Sequence, residues 1–138
     1  MRRAKAQSFL SGNSDGVGLF GFTFGGGIAN HGGTLTVIGC TISGNSAEYG
    51  GIENDGTLAV SGWTLSGNAA SLESGGIANL GMLTVSGSTI YGNSATYGGV
   101  YNVVFATLKV SNNSIASGNS TLDGGGLNNL GTAASRNT

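Results

Sequence analysis

Gly26-Gly27-Ile28-Ala29-Asn30 recurs as Gly50-Gly51-Ile52-Glu53-Asn54, as Gly75-Gly76-Ile77-Ala78-Asn79 and as Gly98-Gly99-Val100-Tyr101-Asn102. A fifth copy opens at Gly125-Gly126-Leu127-Asn128-Asn129. The apolar anchors Ile28, Ile52, Ile77, Val100 and Leu127 are 24, 25, 23 and 27 residues apart. A near-constant period in this range marks a solenoid, whose units bury their apolar faces on one another.

Each repeat holds three short apolar segments. The first follows the glycine pair. The second is Leu35/Val37, Leu58/Val60, Leu83/Val85 and Leu108/Val110, and the third centres on Ile42, Leu65, Ile90 and Ile115. Apolar residues two apart describe a strand with one face in and one out. The i, i+3, i+4, i+7 spacing of a helix is absent from these segments. The predicted fold is all-β, a right-handed parallel β-helix with three short strands per coil of about 24 residues and four to five coils. A lone coil would not hold. Its few inward aliphatics contribute roughly 1.5–3 kcal/mol each, against roughly 1–2 kcal/mol of entropy for each ordered residue.

Two asparagine series recur in step with the coil: Asn30, Asn54, Asn79, Asn102 and Asn129, and, each after a glycine, Asn45, Asn68, Asn93 and Asn119. Stacked amides can hydrogen-bond along the axis, and asparagine tolerates the left-handed conformation of tight turns. A residue present in every coil is expected to be scaffold rather than a ligand-binding stripe. The glycine pairs are expected to supply positive φ.

The ends are less regular. Leu10-Ser11-Gly12-Asn13-Ser14 resembles the tail of an earlier coil, and an insertion of about eight residues holding Phe20, Phe22 and Phe24 follows it. The expected organisation is an irregular segment with a partial coil over 1–24, β-helix coils over 25–130, and a truncated or frayed end over 131–138. Uncapped coils imply a piece of a longer protein, and they imply end-to-end self-association.

Composition narrows the classes. With 28 glycines but no proline the chain is not collagen, and 38% hydrophobic residues at fixed positions are unlike disorder. Arg2, Arg3, Lys5 and Arg136 lie at the ends, leaving Lys109 against six acids, a net of about −5 for the body. That sign disfavours nucleic acid. No apolar run reaches the ~20 residues of a membrane helix, and no signal peptide is visible, because glycine and serine follow Met1-Arg2-Arg3-Ala4-Lys5 too soon.

The run Thr41-Ile42-Ser43-Gly44-Asn45-Ser46-Ala47-Glu48-Tyr49-Gly50-Gly51-Ile52 resembles the repeat of chlamydial polymorphic outer membrane proteins. That repeat joins a glycine-glycine-apolar motif to an aromatic-x-x-asparagine motif. Ile42-x-x-Asn45, Leu65-x-x-Asn68 and Ile90-x-x-Asn93 stand in for the second, with aliphatics where the family favours phenylalanine. The resemblance covers about residues 10–130. It implies an exported, extracellular or outer-membrane-surface β-helix, often an autotransporter passenger, with structural or adhesive work and glycans or surface proteins as partners.

No reaction is legible, so the chain is expected to be non-enzymatic, with no catalytic, cofactor or metal residues. The alternative is a fragment of a carbohydrate-binding or carbohydrate-active β-helix protein whose site lies outside this chain. Glu48 and Glu73 precede successive glycine pairs and could stack as a carboxylate pair, but solvated turn acids are the expectation. His31, Glu53 and Asp55 form a loose group in which a surface ion pair is expected rather than a metal site. Cys40 shares its coil position with Trp63, Ser88 and Asn113, a variability that argues against a core site. Tyr49, Tyr91, Tyr97 and Tyr101 could stack on sugars. Thr34, Thr57 and Thr107, Thr36 and Thr84, and Thr41, Thr64 and Thr89 form outward arrays of the kind that binds ice, a minor alternative that Met82, Ala59 and Lys109 interrupt. Asn112 and Asn119 open chance glycosylation sequons. Function is expected where the copies disagree: Glu53, Trp63, Tyr101, Lys109 and the insertion before Gly25.

Overall fold

The computed structural model describes residues 2–4, 9–11, 27–48, 51–72, 74–97, 99–111, 115–117, 120–123 and 127–136. Among these the regular elements are strands of two to five residues, and all of their pairings are parallel. One coil runs through Ile28–Asn30, Thr34–Ile38, Thr41–Ser43 and Ser46–Ala47, and the next begins at Ile52–Asn54. Equivalent strands stack into four sheets, so the chain is a parallel β-solenoid with coils of about 25 residues.

The three expected strands are all present: Leu35, Leu58, Leu83 and Leu108 pair in turn, as do Val37, Val60, Val85 and Val110, and Ile42, Leu65 and Ile90 do so on the third strand. Ile115 departs from the expected register, standing opposite Thr89 rather than Ile90. A fourth strand follows the second asparagine, two residues long at Ser46–Ala47 and Ala69–Ala70 and four at Ser94–Tyr97. Ser46–Ala47 pairs with Ala69–Ala70, and Ala69 with Ser94.

Both ends carry more regular structure than their sequence implies. Arg2–Ala4 pairs with Leu35–Val37, whereas Phe9–Ser11 pairs with Thr41–Ser43 and places Leu10 beside Ile42, as the likeness of Leu10-Ser11 to Ile42-Ser43 predicts. Thr132–Arg136 pairs residue for residue with Thr107–Ser111, Ala133 and Ser135 taking the register of Leu108 and Val110. Backbone hydrogen bonds need no particular side chain, so the ladder continues where the leucine–valine signature stops. The insertion with Phe20, Phe22 and Phe24 and the sequon residues Asn112 and Asn119 lie outside the described residues.

Val37, Ile42, Ile52, Leu58, Val60, Leu65, Ile77, Leu83, Val85, Ile90, Val100 and Leu108 form the buried interior. Cys40 and Trp63 belong to it too, correcting their expected place outside the core: they are 2% and 3% exposed, and Ser88 in the next coil is 2% exposed. The position varies because volume is shared along the axis. A large indole in one coil sits between a small thiol and a small hydroxyl in its neighbours. Trp63 Nε1 donates to Val37 O at 2.9 Å, and its backbone N–H donates to Ser88 Oγ at 3.3 Å. Trp63→Phe keeps most of the ring but orphans the buried Val37 carbonyl's indole donor. Its expected cost is about 1–2 kcal/mol, read as a lower urea midpoint by circular dichroism.

The described members of both asparagine series form continuous ladders, Asn30 to Asn129 in one and Asn45 to Asn93 in the other. Nδ2 of Asn30 donates to Oδ1 of Asn54 at 2.8 Å, Asn54 to Asn79 at 2.8 Å, Asn79 to Asn102 at 2.6 Å and Asn102 to Asn129 at 2.8 Å. In the other ladder, Oδ1 of Asn68 accepts from both Nδ2 and the backbone N–H of Asn45 at 3.0 Å, and Asn93 serves Asn68 likewise at 3.0 Å. Asn54, Asn79, Asn93 and Asn102 are fully buried, so these amides build the wall and offer nothing to a ligand.

Glycine divides its labour differently from the sequence reading. Positive φ falls on single glycines such as Gly44, Gly67 and Gly92, each just before an asparagine of the second ladder, rather than on the asparagines. Four described members of the pairs, Gly27, Gly51, Gly75 and Gly76, are not in that conformation. They allow close approach instead. A Cβ on Gly76 would overlap the Gly99 carbonyl oxygen, and one on Gly75 would lie 2.6 Å from Ser94 N.

Candidate functional site

With the repeated residues consumed by the wall, chemistry is left to outward positions that differ between coils. One column stands apart. Ala29, Glu53, Ala78, Tyr101 and Asn128 are register mates on the sheet that carries the first asparagine ladder. The flanking residues of each strand face inward, so the middle residue faces out. Ala29 is exposed as expected, yet Ala78 is fully buried and Glu53 is 4% exposed. Larger neighbours one coil either side, Glu53 and Tyr101, roof over the alanine between them.

The loose group around Glu53 resolves into one contact. His31 Nε2 lies 3.3 Å from Glu53 Oε2, with the imidazole 48% and the carboxylate side chain 5% exposed. The histidine turns back onto Glu53 and not onto Asp55, its counterpart in the next coil; Asp55 stays exposed. The expected surface pair is therefore half-buried, with the Glu53 carboxylate shielded from water and the His31 imidazole open to it. Such a carboxylate attracts a cation or donor more strongly than a hydrated one. Ala occupies the same register in both flanking coils, so the scaffold does not require an acid here. Glu53→Ala is expected to fold normally, with stability within about 1 kcal/mol of wild type, measured by urea denaturation.

Tyr97 closes the fourth strand of its coil and Tyr101 opens the next sheet. The two rings stack on one another, with centroids 4.7 Å apart and planes 25° from parallel. Both are half-buried, and Tyr101 lies beside Ala78. Tyr91 lies on a different sheet, and Tyr49 is outside the described residues. Of the four tyrosines singled out by sequence, the structure thus joins two to each other and to the Glu53 column.

The other candidates separate. Ala69 and Ala70 pair with Ser46 and Ala47, and Leu72 N–H donates to Glu48 O at 3.1 Å. Asn68 to Ile77 is nine residues where Asn45 to Ile52 is seven. Leu72 thus stands at the level of Glu48, and Glu73 lies outside the described residues, as therefore does the carboxylate pair. Among the described residues no three His, Cys, Asp or Glu side chains gather as a metal site, and no helix is long and apolar enough to cross a membrane. The threonine columns are broken where the sequence breaks them. Met82 pairs with Thr57 and Thr107, while Ala59 and Lys109 flank Thr84.

One outward feature escaped the sequence reading. Asn102 and Thr107 are five residues apart, where Asn54–Thr57, Asn79–Met82 and Asn129–Thr132 are three apart. The extra length forms a turn closed by Ala106 N–H to Val103 O at 3.1 Å, with Val104 and Phe105 at its tip. Phe105 has φ +69°, the only positive value of a non-glycine among the described residues, and is 98% exposed. That is the third position of a type II turn, where glycine or asparagine is usual, and a benzyl side chain there costs roughly 1–2 kcal/mol. Counting residues from ladder asparagine to the next strand would have found it.

No protein-family model, no curated protein and no solved structure matches the chain.

Proposed function

We propose that this chain is a structural and adhesive β-solenoid segment of an exported bacterial surface protein, without enzymatic activity. One observation carries the reading: the residues shared by all coils are occupied in the wall, while the outward residues change from coil to coil. A rigid rod with a varied surface suits display and contact rather than turnover. The resemblance of its glycine and asparagine motifs to surface-protein repeats supports export and adhesion.

A second reading is favoured by the Tyr97–Tyr101 stack, whose Tyr101 shares an outward column with the buried Glu53 carboxylate, Ala78 lying between them. Aromatic faces next to acceptors suit sugar rings, so the adhesive contact would be to glycans. The test immobilises the chain on beads and measures retention on glycan- and protein-coated surfaces, alongside release of reducing ends from polysaccharides. Retention above blank beads with no released sugar is expected. Released reducing ends, or no retention on any surface, would sink the adhesive reading. Glycan retention unchanged in Tyr97→Ala and Tyr101→Ala would remove the tyrosines from it.

A further inference from the structure

The turn that carries Phe105 belongs to an apolar edge. Leu80, Val103 and Leu130 occupy one turn position in consecutive coils, their N–H groups donating to Asn54 O, Asn79 O and Asn102 O. Leu80, Val104 and Leu130 are 36%, 51% and 56% exposed, and Met82 beside Leu80 is 52% exposed. The equivalent turns of the two preceding coils hold His31-Gly32-Gly33 and Asp55-Gly56. The apolar character is therefore local to three coils and is not a property of the repeat. It is also costly twice over. The chain exposes a whole phenylalanine ring to water, and holds it in a conformation that glycine would adopt without strain. Neither feature serves the wall.

We propose that this edge is the contact surface of a homodimer, in which two copies of the chain meet side by side with their axes antiparallel. The pattern along the edge is symmetric about Phe105: a leucine one coil before it and a leucine one coil after. A two-fold axis through the turn puts Phe105 against Phe105 and Leu80 of each copy against Leu130 of the other, as an isologous interface requires. Coils rise by about 4.8 Å, so both leucines lie within reach of the central ring pair. Phe105 offers roughly 200 Å². With Leu80, Met82, Val104 and Leu130 the edge offers on the order of 500 Å² per copy, so two edges bury about 1,000 Å², the lower limit for a specific interface. The dimer is accordingly weak and concentration-dependent. A lipid surface fits less well, since one ring and a few half-exposed aliphatics on an acidic body lack the second anchoring signal that stable membrane attachment takes.

Sedimentation velocity of the whole chain over a wide concentration range tests the proposal. The wild type is expected to shift from monomer toward dimer as concentration rises, while Phe105→Gly stays monomeric and melts no lower than wild type. Ile38→Ser, at the opposite end of its strand from the Met82 position and two coils away, and matching Ser61 and Ser86 in its register, is expected to dimerise as wild type. Mixing Leu80→Cys with Leu130→Cys under mild oxidation is expected to give a cross-linked dimer that neither variant gives alone. A wild type monomeric throughout overturns the proposal. Association that survives Phe105→Gly also overturns it and indicates end-to-end stacking of coils instead. So does Phe105-dependent retention on phosphatidylcholine vesicles by a chain that remains monomeric.

Discussion

Gly76→Ala is expected to destabilise the protein by about 4 kcal/mol or more, and to split its unfolding into two transitions. The added methyl would overlap the Gly99 carbonyl oxygen. That oxygen cannot step aside cheaply, because it accepts from Ile77 N–H at 2.9 Å and from Ser74 Oγ at 2.9 Å. Ser74 is fully buried, so moving Gly99 would leave two donors without water to turn to. The Ile90 side chain, 3.2 Å from the hypothetical Cβ, closes the inner side. The coil must therefore separate from the next one at this corner, and in a one-dimensional array a weakened interface lets the two sides melt apart. Gly67→Ala is the comparison. Gly67 has φ +62° and nothing nearer than 3.9 Å to its hypothetical Cβ, so only backbone strain of roughly 1–2 kcal/mol is expected. Paired denaturation curves decide between the two roles. If Gly67→Ala is the more damaging, close approach between coils is not what the glycine pairs provide.

The same contrast explains what the sequence could and could not convey. The period and the leucine–valine strands were legible because they repeat the same side chains at the same pleat positions. The fourth strand was not. Ser46–Ala47 and Ala69–Ala70 are too short for alternation to register, and the coil below, not their own composition, makes them strands. Trp63 was misplaced for a related reason. Periodicity identifies an inward position when each coil fills it alike, whereas Cys40, Trp63 and Ser88 fill it jointly. The meeting of His31 with Glu53 rather than Asp55 depends on how a turn folds back across a coil boundary. Spacing along the chain gives the distance to that boundary but not the direction of the return. Phe105 was visible as two surplus residues, but its exposure and left-handed backbone are properties of the folded turn alone.

Asn79→Leu should cost about 3–6 kcal/mol, a large share of the 5–15 kcal/mol that holds a typical domain together. Leucine has the branched outline and heavy-atom count of asparagine but bulkier methyl ends, so the loss of hydrogen bonding is joined by some overpacking. The lost amide donates to Asn102 Oδ1 at 2.6 Å, Thr107 O at 3.0 Å and Gly81 O at 3.2 Å, and its oxygen accepts from Asn54 Nδ2 at 2.8 Å. Asn54 and Asn102 are fully buried, so at least two polar groups lose a partner where no water replaces it, at roughly 1–3 kcal/mol each. The ladder also predicts an order. Asn30 is 8% exposed and donates one ladder bond to Asn54, so Asn30→Leu should cost less than Asn79→Leu. Asn129 is exposed and donates to Gly131 O at 3.1 Å, so Asn129→Leu should cost least. Chemical denaturation of the three variants measures the gradient. Equal losses at all three positions would mean that each asparagine stabilises only its own turn, and that the chain of amides along the axis adds nothing to the stacking of coils.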